Sequence, residues 1–188
     1  MMKTVLLFWV LFIIGNNTFG QKIYPSKNLD AYVGTWVYQK SDTIFKIILQ
    51  KGQRLDDIHI SNGLFGGYWL IVKGKTIEKY WTPLPQLWNY SQPCPQNQYM
   101  WVSNSTFFAE HIDPNYVGVI FYDQRKKHFG GKGITGGYIQ LLSPTKIRWK
   151  LDEEKGIWNE TEGDESISDA ERRPIGFSVP DDVIMTKE

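Results

Sequence analysis

Residues 32–50 read YVGTWVYQKSDTIFKIILQ, and their alternation decides the fold class. Gly34, Trp36 and Tyr38 fall on one side of an extended chain, with Val33, Thr35, Val37 and Gln39 on the other, because successive strand side chains point to opposite faces. Lys40-Ser41-Asp42 is a polar turn. Beyond it, Phe45, Ile47 and Leu49 share one face, while Ile44, Lys46, Ile48 and Gln50 share the other. One face is apolar and one mixed, which is the pattern of an antiparallel hairpin with one buried side. This places the first strand at residues 30–39 and the second at 43–50.

Working outward, short apolar runs recur at residues 54–61, 68–73, 76–81, 99–102, 107–110, 116–123, 138–142, 146–151, 175–179 and 183–186. Turn signals separate many of them: Lys51-Gly52-Gln53, Asn62-Gly63, Gly66-Gly67, Gly74-Lys75 and Ser143-Pro144-Thr145. Asp56-Asp57 interrupts the alternation, where a bulge is expected. Strands punctuated at this spacing predict an all-β fold. We expect a single antiparallel up-and-down β-barrel or clam of about eight to ten strands. No long helical period and no internal repeat interrupts this pattern, and at most one short helix fits between residues 160 and 172.

Two segments depart from the rhythm. Residues 82–98 carry Pro83, Pro85, Pro93 and Pro95, and proline cannot donate to a sheet ladder, so this is a long loop. Residues 152–171 hold nine acidic side chains against one lysine, a solvated excursion.

The first 20 residues read as a leader. Lys3 precedes the ten-residue apolar run 5–14, and Gly15 to Gly20 form a polar exit with small residues, the pattern of a secretory signal peptide cleaved after Gly20. Ten apolar residues reach only about half the roughly 20 that a transmembrane helix needs. The expected product is one domain, residues 21–188, exported to the periplasm or the exterior, with no membrane span. Removing Lys3 from the 21 basic residues leaves 20 against 20 acidic ones, so overall charge does not favour nucleic acid as a partner. Cys94 is the only cysteine; stability must come from the core rather than from an intrachain disulfide.

Catalytic patterns are weak. His59, His111 and His128 lack ligand spacing. The glycine run 130–137 has Gly133 after Lys132 and feeds a strand, unlike a phosphate-binding loop that opens a helix. Cys94, between Pro93 and Pro95, has no helix terminus or adjacent histidine to lower its pKa. No cofactor, no metal and no enzymatic activity is expected.

Aromatic residues make up 15% of the chain and include eight tryptophans. Inside a barrel such side chains either line an apolar pocket or fill it. The inward candidates for a small apolar or amphipathic ligand are Trp36, Tyr38, Phe45, Ile47, Tyr68, Leu70 and Trp81. The alternative is a surface-interaction or carbohydrate-contacting module using the loop aromatics Trp88 and Tyr90.

The opening Tyr32-Val33-Gly34-Thr35-Trp36 resembles the glycine-x-tryptophan signature of the first strand in lipocalins and related barrels. That resemblance implies a glycine bend and a tryptophan packed across the barrel base. The leader, residues 30–50, YIQLLSPTKIRWKL at 138–151 and PDDVIMTK at 180–187 are similar to a family of small secreted proteins from Bacteroidetes-type bacteria. That family is known only as a domain of unknown function, and it implies no catalytic residues.

Overall fold

The computed structural model describes residues 22–24, 28–56, 59–81, 87–89, 99–104, 115–126, 136–154, 165, 168–170 and 172–188. Its strands are β1 (Lys22–Tyr24), β2 (Gly34–Lys40), β3 (Thr43–Asp56), β4 (His59–Val72), β5 (Lys75–Tyr80), β6 (Leu87–Asn89), β7 (Met100–Ser103), β8 (Tyr116–Phe121), β9 (Gly137–Ser143), β10 (Lys146–Leu151) and β11 (Asp182–Lys187). A 3-10 turn, η1 (Leu29–Tyr32), precedes β2.

Eight strands close a ring. In the order β2, β3, β4, β7, β8, β9, β10, β11, each pairs antiparallel with the next. The circuit shuts where Thr186 lies opposite Val37 and Lys187 opposite Trp36. Spatial order follows chain order, so the domain is an up-and-down, lipocalin-like barrel, as the alternation predicts. Closure removes the unpaired edges that open sheets must protect.

Two departures shape the wall. Tyr80 of β5 lies opposite Tyr68, and Met100 of β7 opposite Gly66. β5 and β7 therefore occupy successive stretches of one edge of β4. β5 ends at Tyr80, and just before β7 the Tyr99 carbonyl accepts from Tyr122 N (3.0 Å). β3 and β4 also outrun β2, whose first residue Gly34 pairs with Leu49. Residues 51–56 and 59–63 continue as a projecting arm, with β1 added parallel to β4 and β6 parallel to β3.

Lys51-Gly52-Gln53, Asn62-Gly63 and Gly66-Gly67 are inside strands rather than in turns. A Cβ on Gly63 would stand 2.3 Å from Trp101 Cζ2 and one on Gly66 2.7 Å from Met100 Sδ. These glycines make room for large neighbours instead of reversing the chain. The reversal falls between Asp56 and His59, where the alternation suggests a bulge. Residues 30–32 belong to η1, closed by Val33 N donating to Asp30 O (3.3 Å), and not to the first strand. Residues 175–179, expected as a strand, are an irregular strap. The strand expected at 107–110 lies outside the described residues, as do most of the glycine run, the proline loop, the acidic tract and the expected short helix.

The inward faces form one core. Trp36, Phe45, Ile47, Leu49, Tyr68, Phe121, Ile147, Trp149 and Met185 are fully buried in it. Trp36 sits at the η1 end of the barrel, where its Nε1 donates to Tyr32 O (2.8 Å) and Lys187 Nζ stands 5.1 Å from its ring centroid. Gly34 has φ +126°, a conformation that side chains resist. This lets the chain bend from η1 into β2.

Candidate functional site

The inward positions read from the sequence come together as packing. Trp36, Phe45, Ile47, Tyr68 and Leu70 all belong to the core cluster, and Tyr38 packs against it half-buried. Phe45 meets Trp149 edge-on at 5.8 Å and Tyr68 at 6.5 Å. Phe121 meets Trp149 at 5.7 Å and Tyr68 at 4.9 Å. Contacts at these separations fill the interior of an eight-stranded barrel, which is only wide enough for its own side chains or one small ligand.

Trp81 corrects the inward set. Its neighbour Tyr80 faces Tyr68 in the interior, so Trp81 turns to the outer wall. There it lies 6.5 Å from Trp69. Trp88 occupies β6 with its backbone opposite Arg54. The side chain of Trp88 and all of Tyr90 lie outside the described residues.

A polar node, missed by the sequence reading, closes the end of the barrel away from η1. Glu78 shares the inward face with Tyr80, and its side chain is wholly buried. Tyr68 Oη donates to Glu78 Oε2 (3.0 Å) and accepts from Gln124 N (3.2 Å). Arg125 Nη1 stands 3.5 Å from Glu78 Oε1 and supplies the countercharge. Burial pushes the Tyr68 hydroxyl far above its ordinary pKa; the Gln124 hydrogen bond opposes this, and the Glu78 and Asp123 charges add to it. Tyr80 is raised by burial and then by Glu78, and Tyr99 by burial.

Asp123 anchors the strap. Its Oδ1 accepts from Arg125 N (3.0 Å), Lys126 N (2.8 Å) and Ser178 Oγ (2.8 Å), and its Oδ2 accepts from Ser178 N (2.6 Å). Four donors stabilise a buried carboxylate. They also hold Phe177 6.3 Å from Phe121 and Val179 in the core. Glu153 carboxylate oxygens accept from Ile175 N (2.5 Å) and Gly176 N (3.0 Å). Through Tyr68, Gln124 and Asp123 the node binds wall to strap. The sequence signal for Asp123 is local: an Asp just past a strand that accepts from the next backbone amides, an Asx turn. Glu78 has no such signal, because its partners are distant in the chain.

Open space lies at the other pole. A cleft of about 430 Å³ runs between η1 and the arm, lined by Leu29, Asp30, Lys51, Gly52, Gln53, Asn62 and Gly63. Alternation sets its floor: Lys51 and Gln53 continue the inward face of Leu49, and Asn62 that of Leu64. Gln53 Nε2 donates to Asn62 Oδ1 (3.1 Å). Lys51 Nζ pairs with Asp30 Oδ1 at 2.6 Å, both ends mostly exposed. Such a pair adds little stability, but it neutralises the site. Donors, acceptors and one apolar wall, Leu29, thus surround a volume within the range of small-molecule sites.

A model of the family of unknown function DUF6705 matches residues 2–188. The chain belongs to that family. No curated protein and no solved structure matches it. For this DUF6705 member the site must therefore be argued from its own geometry. Among the described residues, no group of three or more His, Cys, Asp or Glu side chains is placed to hold a metal, and no helix is long and apolar enough to cross a membrane. His111, His128 and Cys94 lie outside the described residues.

Proposed function

We propose that this protein is an exported, non-enzymatic binding module that contacts its ligand on the outside of a self-filled barrel, with the cleft at the η1 pole as the seat for a small, neutral, polar molecule. The observation that carries this reading is the packing of Trp36, Phe45, Tyr68, Phe121 and Trp149 within the barrel. An apolar ligand there would have to displace these rings, at a cost comparable to unpacking a core. The cleft needs no such rearrangement, and its Lys51–Asp30 pair together with the Gln53 and Asn62 amides favours uncharged ligands with hydroxyl or amide groups. An aqueous setting is supported by Lys46, Lys79, Arg148 and Lys150 on the outer wall, the reverse of the apolar belt of a transmembrane barrel.

Amide chemical-shift mapping with two ligand panels tests the proposal: small polyols and amides in one, fatty acids and retinoids in the other. The expected result is shifts at Asp30, Lys51, Gln53 and Asn62 with the polar panel, abolished in Gln53→Ala/Asn62→Ala. Fatty-acid binding with quenched tryptophan fluorescence and shifts at Phe45 and Trp149 would overturn it in favour of interior carriage.

A further inference from the structure

The outer wall formed by β3, β4 and β5 carries two tryptophans that the core does not use. Trp69 and Trp81 belong to neither buried cluster and are not packed against one. Both are half-buried, with ring centroids 6.5 Å apart and planes at 42°. Gly67 lies beneath Trp81, since a Cβ there would be 2.7 Å from Trp81 Cε3. The missing side chain lets the indole lie against the strand. Outward sheet positions are ordinarily polar, and paired indoles on a solvent-facing wall are the kind of apolar surface that marks a contact site.

Lysines outnumber acids around this pair. Lys46 and Lys79 are the cross-strand neighbours of Trp69 on β3 and β5, so the ring sits between two ammonium stems. Lys73 stands exposed in the adjoining β4–β5 turn, while Lys40 and Lys75, also exposed, end their strands in register with Thr43 and Val72 on the inward face. Lys46 is tied to Glu188 at 2.8 Å. Among the described residues, Lys40, Lys73, Lys75 and Lys79 make no ion pair. Glu78, next to Lys79 in sequence, points inward to Tyr68, and Asp42 lies in the β2–β3 turn. The chain is close to neutral overall, so this is a local asymmetry.

We propose that this wall binds an anionic polysaccharide. Indole faces stack on the C–H face of a sugar ring, and the lysines meet its carboxylate or sulfate groups by charge complementarity. The cations are lysines throughout. Nucleic-acid-binding domains carry a strongly basic balance, whereas this chain is near neutral overall, which makes a nucleic acid the weaker fit. The surface is independent of the η1 cleft: Trp69 and Trp81 lie on the outward face of the sheet, and Lys51, Gln53 and Asn62 on the inward face.

Affinity electrophoresis of the leader-free protein through gels containing polygalacturonate or chondroitin sulfate tests the inference, with neutral dextran and single-stranded DNA as comparisons. Retention by the acidic polysaccharides that weakens with added salt is expected. Trp69→Ala/Trp81→Ala should weaken it by about tenfold or more, the equivalent of one lost contact of about 1.4 kcal/mol. Lys79→Glu, an exposed change in cross-strand register with Trp69, should abolish retention at unchanged thermal stability. Gln53→Ala/Asn62→Ala should leave it intact, separating this surface from the cleft. Absence of retention, undiminished retention in the lysine variant, or stronger retention by DNA would overturn the proposal.

Discussion

Replacing Trp36 with alanine removes the side chain that locks the η1 turn onto the barrel. Trp36 has no solvent exposure, so truncation loses its transfer energy and leaves a cavity, together costing about 3–5 kcal/mol. Its Nε1 bond to Tyr32 O (2.8 Å) has a net worth of about 1 kcal/mol. The Lys187 ammonium over the ring contributes about 0.5–1 kcal/mol. These terms overlap, because all three partners relax together, so the expected total is about 4–5 kcal/mol. With a urea slope of about 2 kcal/mol per molar, the unfolding midpoint falls by about 2 M. Trp36→Phe separates the terms: it keeps most of the ring and loses the hydrogen bond, leaving Tyr32 O without that donor, for about 1–3 kcal/mol. Urea titrations followed by far-ultraviolet circular dichroism measure both. A Trp36→Ala midpoint within about 0.5 M of wild type would refute the placement of Trp36 as the fastener of this pole. A Trp36→Phe loss equal to that of alanine would refute the partition between ring and hydrogen bond.

Tyr68 should stay protonated well past the ordinary tyrosine range, because burial penalises its phenolate. A raised folded pKa stabilises the fold below the unfolded value of about 10, and that contribution is lost as pH rises above it. Absorbance titration at alkaline pH should therefore show the Tyr68 phenolate appearing together with unfolding, and a reversible ionisation in the folded protein would contradict its burial. Asp182 is held below the usual carboxylate range by hydrogen bonds from Arg148 Nε and Nη2, at 2.8 and 2.7 Å. Its stabilisation is present above the unfolded value and disappears as pH falls through the folded one. Carbon-detected titration should find the Asp182 midpoint depressed in wild type and restored in Arg148→Gln, with little change in stability because both side chains are exposed.

Local alternation makes much of the barrel legible in the sequence. The inward set of the first hairpin and residues 146–151 of β10 follow directly from the period of two. The glycines were harder, because a glycine signals either a reversal or a close approach. Gly63 and Gly66 stand under Trp101 and Met100, and those partners come from β7, far along the chain. Reading them as turns cut one 14-residue strand, β4, into pieces. Tyr80 and Trp81 are adjacent aromatics, and only the register with Tyr68 shows that Tyr80 is the one that points inward. Glu78 hid the answer further, since an acid on the inward face argues against that face being buried until Tyr68 and Arg125 are seen to accompany it. The cleft was out of reach for the same reason: Asp30 meets Lys51, and Gln53 meets Asn62, only after η1, β3 and β4 assemble.

The aromatic packing of the interior is what supports the proposal of external binding. An eight-stranded barrel holds either its own inward side chains or one small ligand, and here tryptophan, phenylalanine and tyrosine rings meet in the core. Emptying it for a ligand would require smaller residues at several of these positions at once. Each such change would cost stability through the cavity it leaves. The wall has no such constraint, because outward residues change without disturbing the register. Its added parts lie there too: β6 in the stretch between β5 and β7, the arm beyond β2, and the strap pinned by Asp123. A rigid, filled barrel is well suited to hold such parts in place, since a site built on strands keeps its geometry better than one built on loops. On this argument the rings that first suggested a ligand pocket are the scaffold, and Trp69 and Trp81, outside the core, are the ones proposed to bind.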